Sequence, residues 1–258
     1  MSRLPTAFLS LAVFVLLAAG ANAARAALLL LPIKDATIYA DNANNANGTG
    51  IAIIAGNTGG GATRRALLQF DLTLISAGSV VQSATLSLFV SQAPNNTPTT
   101  VSLHRLLSAW TEGPTNPGAS QGQGAPAVTG DVTWQYRTFS SLLWSSSGGD
   151  FSASPTASVT GLGGTGARAT FSGLATDVQN WIDNPASNFG WIVRGVETGN
   201  STARQFSSRE AATGSIALDD VRPVLSVDIA PIPEPATALL ILLGATVLGF
   251  RVARGRPA

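Results

Sequence analysis

The sequence predicts an all-β fold, a jelly-roll-like β-sandwich with one short helix. Three observations carry that reading. Apolar runs are short and mostly alternate with polar residues. Clusters of Gly, Ser, Asn and Pro break them at frequent intervals. Only one segment has helical spacing. The elements follow in order. Thr37-Ile38-Tyr39 forms a first strand and Ile51 to Ala55 a second. Ala66 to Phe70 is almost continuously apolar, the pattern of a central strand. Ala84, Leu86, Leu88 and Val90 alternate with Thr85, Ser87 and Phe89, which puts the core face on the even positions; Ala77-Gly78 supplies the turn before it. Val101 and Leu103 alternate with Ser102 and His104, turning His104 toward solvent or a loop. Leu174, Val178, Trp181 and Ile182 fall at i, i+4, i+7 and i+8, a single helical stripe with Ser172 as candidate N-cap and Asn184-Pro185 as its stop. Phe189 to Val193 returns to strand. The stretches 113–126 and 145–166 read as long loops, functional or mobile, and Gly161–Gly166 as a flexible linker without the Lys of a phosphate loop.

Composition excludes several functions. The chain has 258 residues, 45% hydrophobic and 11% charged, with 27 Gly, 14 Pro, one His and no Cys. Without Cys there is no disulfide framework, thiol nucleophile or Cys-ligated zinc. A single His rules out a His-rich metal site and counts against a His-dependent triad. A net charge of +1 counts against a nucleic-acid partner, which needs a clustered basic face. Residues 27–230 carry ten Lys and Arg against thirteen Asp and Glu, net −3, so the basic balance resides in the two ends.

Those ends read as addresses. Ser2-Arg3, the apolar run Ala7–Ala19 and the small-residue sites at Ala21–Ala23 and Ala24–Ala26 make residues 1–26 a secretory signal peptide helix; an uncleaved anchor is the alternative. Residues 231–258 carry Pro233-Glu234-Pro235, the fifteen uncharged residues Ala236–Phe250 as a hydrophobic helix, and a tail with Arg251, Arg254 and Arg256. At ~1.5 Å per residue that helix covers about 22 Å, short of a ~30 Å hydrocarbon core unless Arg251 snorkels. The basic tail would stay cytoplasmic. This tripartite order resembles the PEP-CTERM sorting signal, with an ordinary C-terminal anchor as the alternative. The resemblance implies a Gram-negative bacterium that makes exopolysaccharide. It also implies export through the Sec machinery and signal peptidase, transient anchoring in the inner membrane, and cleavage near Pro-Glu-Pro by an exosortase-type membrane protease.

Residues 27–230 number 204, a suitable length for one domain. Its segments run Arg65–Leu72, Ser83–Leu88, Val101–Arg105, Trp110–Gly113, Thr133–Arg137, Trp144, Gly148–Asp150, Val178–Trp181, Asn188–Trp191, Phe206–Glu210 and Arg222–Leu225. In that order they resemble a DNRLRE domain, a bacterial and archaeal surface-protein module grouped with carbohydrate-binding modules. The chain departs from the pattern at Asn47-Gly48-Thr49, where an aromatic is usual, and at Ser76 and Ile229. The resemblance implies a non-catalytic β-sandwich on an extracellular protein, with extracellular polysaccharide as partner.

Sugar binding asks for an aromatic face plus planar polar groups. Trp110, Trp134, Tyr136 and Trp144 lie in or beside the long loops and are the aromatic candidates, although packing against the sandwich is the first reading of the Trp residues and sugar binding the second. Glu112, Arg137 and Asp150 could orient hydroxyls or simply be solvated. Trp181 and Trp191 sit in periodic apolar patterns and read as core. Asp41 and Asn44, in an Asn-rich loop, and the pair Asp219-Asp220 are candidate ligands for a structural Ca²⁺; Asx-turns explain the loop as well. No other cofactor is expected. Arg209-Glu210 and Arg222 read as structural clamps. Three functions compete: a non-catalytic surface or matrix protein that binds exopolysaccharide, a polysaccharide hydrolase or lyase, and an adhesive module without sugar affinity. No motif sets two carboxylates together in a groove, which places the enzyme behind the binding protein.

Overall fold

The computed structural model describes residues 27–230 apart from Thr213 and Leu218. The signal-peptide stretch 1–26 and the sorting stretch 231–258, with Pro233, Glu234, Pro235, Arg251, Arg254 and Arg256, lie outside the described residues. Among the described residues no helix is long and apolar enough to cross a membrane.

The first half of the chain supplies β1 (Leu28–Leu30), β2 (Pro32–Tyr39), β3 (Asn45–Ala46), β4 (Ala52–Asn57), β5 (Thr63–Phe70), β6 (Val81–Gln92) and β7 (Thr99–Arg105). A long excursion, 106–156, follows. It carries only the short pieces β8 (Ala125–Pro126), β9 (Tyr136–Thr138) and β10 (Leu142–Leu143). Then come β11 (Ala157–Leu162), β12 (Arg168–Phe171), the helix α1 (Ala175–Asp183), a 3-10 turn (Pro185–Ser187), β13 (Trp191–Gly195), β14 (Arg204–Ser207) and β15 (Val224–Ile229).

The main strands form one large antiparallel sheet that curls into two layers. One layer runs β2-β5-β13-β7-β11. In the other, β6 pairs with β12 and with β15, and β1 joins the far side of β15. β14 and β4 carry the sheet from one layer to the other. Between the layers lie Ala84, Leu86, Leu88 and Val90 of β6, the even face that the alternation predicts, against Ala66, Leu68 and Phe70 of β5, Trp191 and Val193 of β13, and Leu225 and Val227 of β15. Each large side chain sealed here contributes roughly 1.5–3 kcal/mol. The helix closes one end. Its stripe buries Val178, Trp181 and Ile182, and the Trp181 and Trp191 rings meet edge to face with centroids 4.5 Å apart.

A second apolar cluster lies on the opposite side of the β2-β5-β13 layer. Ala36, Ile38, Leu67 and Ile192 project there and are covered by Leu106, Trp110, Val132 and Trp144 from the excursion. This explains the unbroken apolar run of β5, which feeds Ala66 and Leu68 to one core and Leu67 to the other. His104 is buried under the same cover. Its Nδ1 lies 2.9 Å from the Ser152 carbonyl oxygen and its ring packs edge-on against Phe151.

Three local expectations change. Ser172 does not cap α1. Leu174 occupies the cap position with no side-chain hydrogen bond, because its buried side chain and its N–H to the Ala84 carbonyl dock the helix start onto β6. The stretch 145–166 is not loop throughout: β11 pairs with β7, and Leu162 is buried. Nor is Gly161–Gly166 a flexible linker. The Gly163 carbonyl accepts a 2.7 Å hydrogen bond from the fully buried Arg204 guanidinium, which fixes the connection between the layers.

Candidate functional site

The aromatic candidates divide by burial. Trp110 is 3% exposed and Trp144 5%, and neither offers a ring face to solvent. Each satisfies its indole N–H internally, Trp110 to the Phe189 carbonyl and Trp144 to the Thr133 carbonyl, both at 3.0 Å. The Lys34 ammonium sits 4.4 Å from the Trp110 ring centre and donates to the Trp110 carbonyl at 2.7 Å. Trp134 is half-buried, with the Arg65 guanidinium 4.7 Å over its ring. Arg65 is itself paired with Glu197 at 2.7 Å. Tyr136, also half-buried, meets Phe139 edge-on at 5.3 Å.

The polar candidates are held by internal partners. Arg137 donates to the Ala109 carbonyl at 3.0 Å. Asp150 accepts from the Ser108 hydroxyl and from the N–H groups of Ser145 and Ser146. Burial pushes its carboxyl up, but those hydrogen bonds outweigh burial and leave it below the usual carboxylate range. Glu112 takes a two-pronged contact from Arg209, at 3.1 and 2.7 Å, and accepts the Asp35 N–H at 2.7 Å.

That last contact belongs to an ionic staple. Asp35, the Glu112 of the excursion, and Arg209 and Glu210 after β14 converge. The Arg209 N–H donates to Asp35 Oδ2 at 2.8 Å, and the Arg209 side chain reaches Glu210 at 2.9 Å. Burial, helped by the Glu210 charge, raises the Asp35 carboxyl well above its ordinary value. Burial also raises Glu210 against the pull of Arg209, and it lowers Lys34 against the pull of Glu112. These carboxylates tie three segments together. Sequence reasoning gave Arg209-Glu210 a clamp role but missed Asp35, since nothing in its neighbourhood signals a partner 174 positions away.

The candidate metal ligands are similarly engaged. Asp41 pairs with Arg64 and Asp220 with Arg222, both at 2.6 Å. Arg222 also clamps the Gly214 and Ser215 carbonyls. Asn44 and Asp219 are exposed. Among the described residues no group of three or more His, Asp or Glu side chains converges as a metal site would require.

Open hollows occur elsewhere, along the end of the sandwich where α1 stops. The first, about 370 Å³, has Ile33, Phe70, Ile75 and Trp181 in its walls, with Asn188, whose Oδ1 is buried and lacks a hydrogen-bond partner among the described residues. The second, about 480 Å³, is lined by Arg105, Leu107, Asn180, Trp181, Asn184 and Phe189. The third, about 490 Å³, is lined by Leu107, Ser108, Ser145, Ser146, Asp150 and Phe151. The first and second share Trp181; the second and third share Leu107. Of the sequence candidates, only Asp150 reaches these hollows. None of the staple carboxylates lines them. Arg105 and the helix-end asparagines were missed because each is an ordinary polar residue in sequence, and only the fold brings the end of β7 beside the end of α1.

An apolar wall interrupted by a guanidinium and carboxamides is suited to binding a hydroxylated ligand. No curated protein matches the chain. The sequence model of carbohydrate-binding module family 96 matches residues 27–116, a stretch that supplies Arg105 and Leu107 to the hollows, so the sandwich is carbohydrate-binding-module-like.

Proposed function

We propose that this chain is an exported, non-catalytic surface or matrix protein whose sandwich, residues 27–230, binds extracellular polysaccharide. The observation that carries the reading is the match of residues 27–116 to a carbohydrate-binding module family. The geometry supports binding over hydrolysis. A glycosidase needs two carboxyls flanking a cleft, about 5–10 Å apart. Here Asp35, Glu112 and Glu210 are consumed in an internal staple, and the hollows are lined by carboxamides, hydroxyls, one guanidinium and apolar side chains, with two carboxylates in different hollows, Asp71 in the first and Asp150 in the third; Asp71 already accepts the Thr73 N–H and Asp150 already holds three donors.

Export rests on the two ends of the sequence. The pattern of residues 1–26 supports a Sec signal peptide removed by signal peptidase, and Pro233-Glu234-Pro235 with Arg251, Arg254 and Arg256 supports sorting by an exosortase at the inner membrane. Intact mass of surface material is expected to lack the Arg tail; mature protein that retains residues 251–258 contradicts the sorting step. Retention on polysaccharide without release of reducing sugar is the expected biochemical result. Sugar release by the purified chain overturns the non-catalytic reading.

A further inference from the structure

We infer that the three hollows are consecutive sugar subsites of one open groove, and that Arg105, Asn180 and Asn184 hold the hydroxyls of the central unit of a glycan lying along it. The inference rests on the carbohydrate-binding reading and deepens it by placing the site.

Continuity comes first. The 3-10 turn and its flanks border both the first and the second hollows, with Pro185 and Asn188 in the wall of one and Asn184 and Ser187 in the wall of the other, and the exposed Leu107 is common to the second and third, so the three are neighbours along one rim. A series of open hollows suits a chain lying across it rather than a chain end held in a closed cavity. Chemistry comes second. Arg105 closes β7 with a side chain 40% exposed, and its neighbouring carboxylate, Asp177 Oδ1, lies 3.8 Å away, too far for a direct hydrogen bond. Beyond that ion pair its planar donors make no hydrogen bond among the described residues, and they line the second hollow. Asn180 and Asn184 are exposed on α1 and at its end, and each carboxamide both donates and accepts, which matches a hydroxyl group in either direction. The exposed Leu107 and the half-buried Phe189 supply apolar surface for the C–H faces of the ring.

Rigidity comes third. Trp181 is wedged against Trp191, whose indole N–H donates to Asp177 Oδ2 at 2.9 Å. The Asn184 N–H bonds the Asn180 carbonyl, and the Leu106 N–H bonds the Gly190 carbonyl, both at 2.9 Å. The polar set is thus mounted on ordered backbone, so little conformational freedom is lost when a ligand seats. Neutral and acidic glycans share this hydroxyl chemistry, and the arms of the test separate them.

The test is affinity electrophoresis of the full chain through gels containing hydroxyethylcellulose, xylan, a β-1,3-glucan or polygalacturonate. Arg105→Gln, the double variant Asn180→Ala/Asn184→Ala, and Thr170→Ala on the far layer run alongside, with melting curves to confirm folding. Retardation of the wild type by a neutral polymer, or by polygalacturonate alone, identifies the source. On whichever polymer retards it, the two groove variants are expected to bind about tenfold more weakly while Thr170→Ala matches wild type. Folded groove variants retained as strongly as wild type overturn the groove and leave the carbohydrate reading standing. A wild type retarded by none of the four polymers overturns that reading, and the groove with it.

Discussion

Asp35 and Glu197 show how the same residue class is used in opposite electrostatic settings. Asp35 is fully buried beside Glu210 and Glu112, and burial first, then those charges, raises its carboxyl. A raised folded-state value means that its contribution to stability is complete below the unfolded value, near pH ~4, and is lost as pH rises through the folded one. Asp35→Asn is therefore expected to melt above wild type at pH 8, with the gap closing by about pH 4. Glu197 is the reverse case. Burial pushes it up, but hydrogen bonds from Arg65 and Arg194 and their charges outweigh burial and hold it at about 2. Its stabilisation is present above about pH 4.3 and lost as pH falls toward 2. Glu197→Gln should melt below wild type at neutral pH and converge with it near pH 2. A pH series of melting curves on the two variants checks both signs. Neither partner set was visible in sequence. Trp181 and Trp191 were legible as core because periodicity marked them; Trp110 and Trp144, for which packing was the first reading, are buried as that reading expects, but they sit in aperiodic stretches where burial leaves no pattern, so they stood as site candidates too.

At the scale of elements, the excursion 106–156 is a cover rather than a free loop. It seals the outer face of β2, β5 and β13 with Trp110, Val132 and Trp144. Trp144→Ala is expected to destabilise the domain by about 3–5 kcal/mol in urea unfolding, the cost of emptying a large core site. A loss below about 1 kcal/mol would show that the second core is loose. Gly190 fixes the join between the 3-10 turn and β13. Its φ is +80°, and a Cβ there would come within 2.0 Å of the Leu68 carbonyl oxygen, so Gly190→Ala should unfold or strongly destabilise the domain in the same assay. Strand positions were largely legible. The alternation of β6 fixed its core face, and the apolar run of β5 marked it as a central strand, but not the cover on its second face. What supplied the cover was hidden, because Gly-, Ser- and Pro-rich composition resembles that of an exposed loop. β11 was hidden for the same reason, its alternation diluted by Ser, Thr and Gly.

For the whole molecule, side chains of several elements stand open together along the rim at the end of α1. The fold class was legible from strand spacing and turn density alone. The groove was not, since its members come from β7, the excursion and α1, far apart in the chain and close only in the fold. Calcium is not expected to stabilise this assembly. A cation would have to displace Arg64 from Asp41 or Arg222 from Asp220, so the melting temperature should be the same in EGTA and in added Ca²⁺. A rise with Ca²⁺ would place a metal where these ion pairs now stand. The central claim, recognition of sugar without chemistry on it, is tested most directly by titrating the purified full chain against a broad glycan array while assaying the same glycans for cleavage. The account predicts saturable binding to at least one polysaccharide, with the bound polymer recovered at unchanged length. An array with no bound glycan, or a bound glycan recovered shortened, contradicts it.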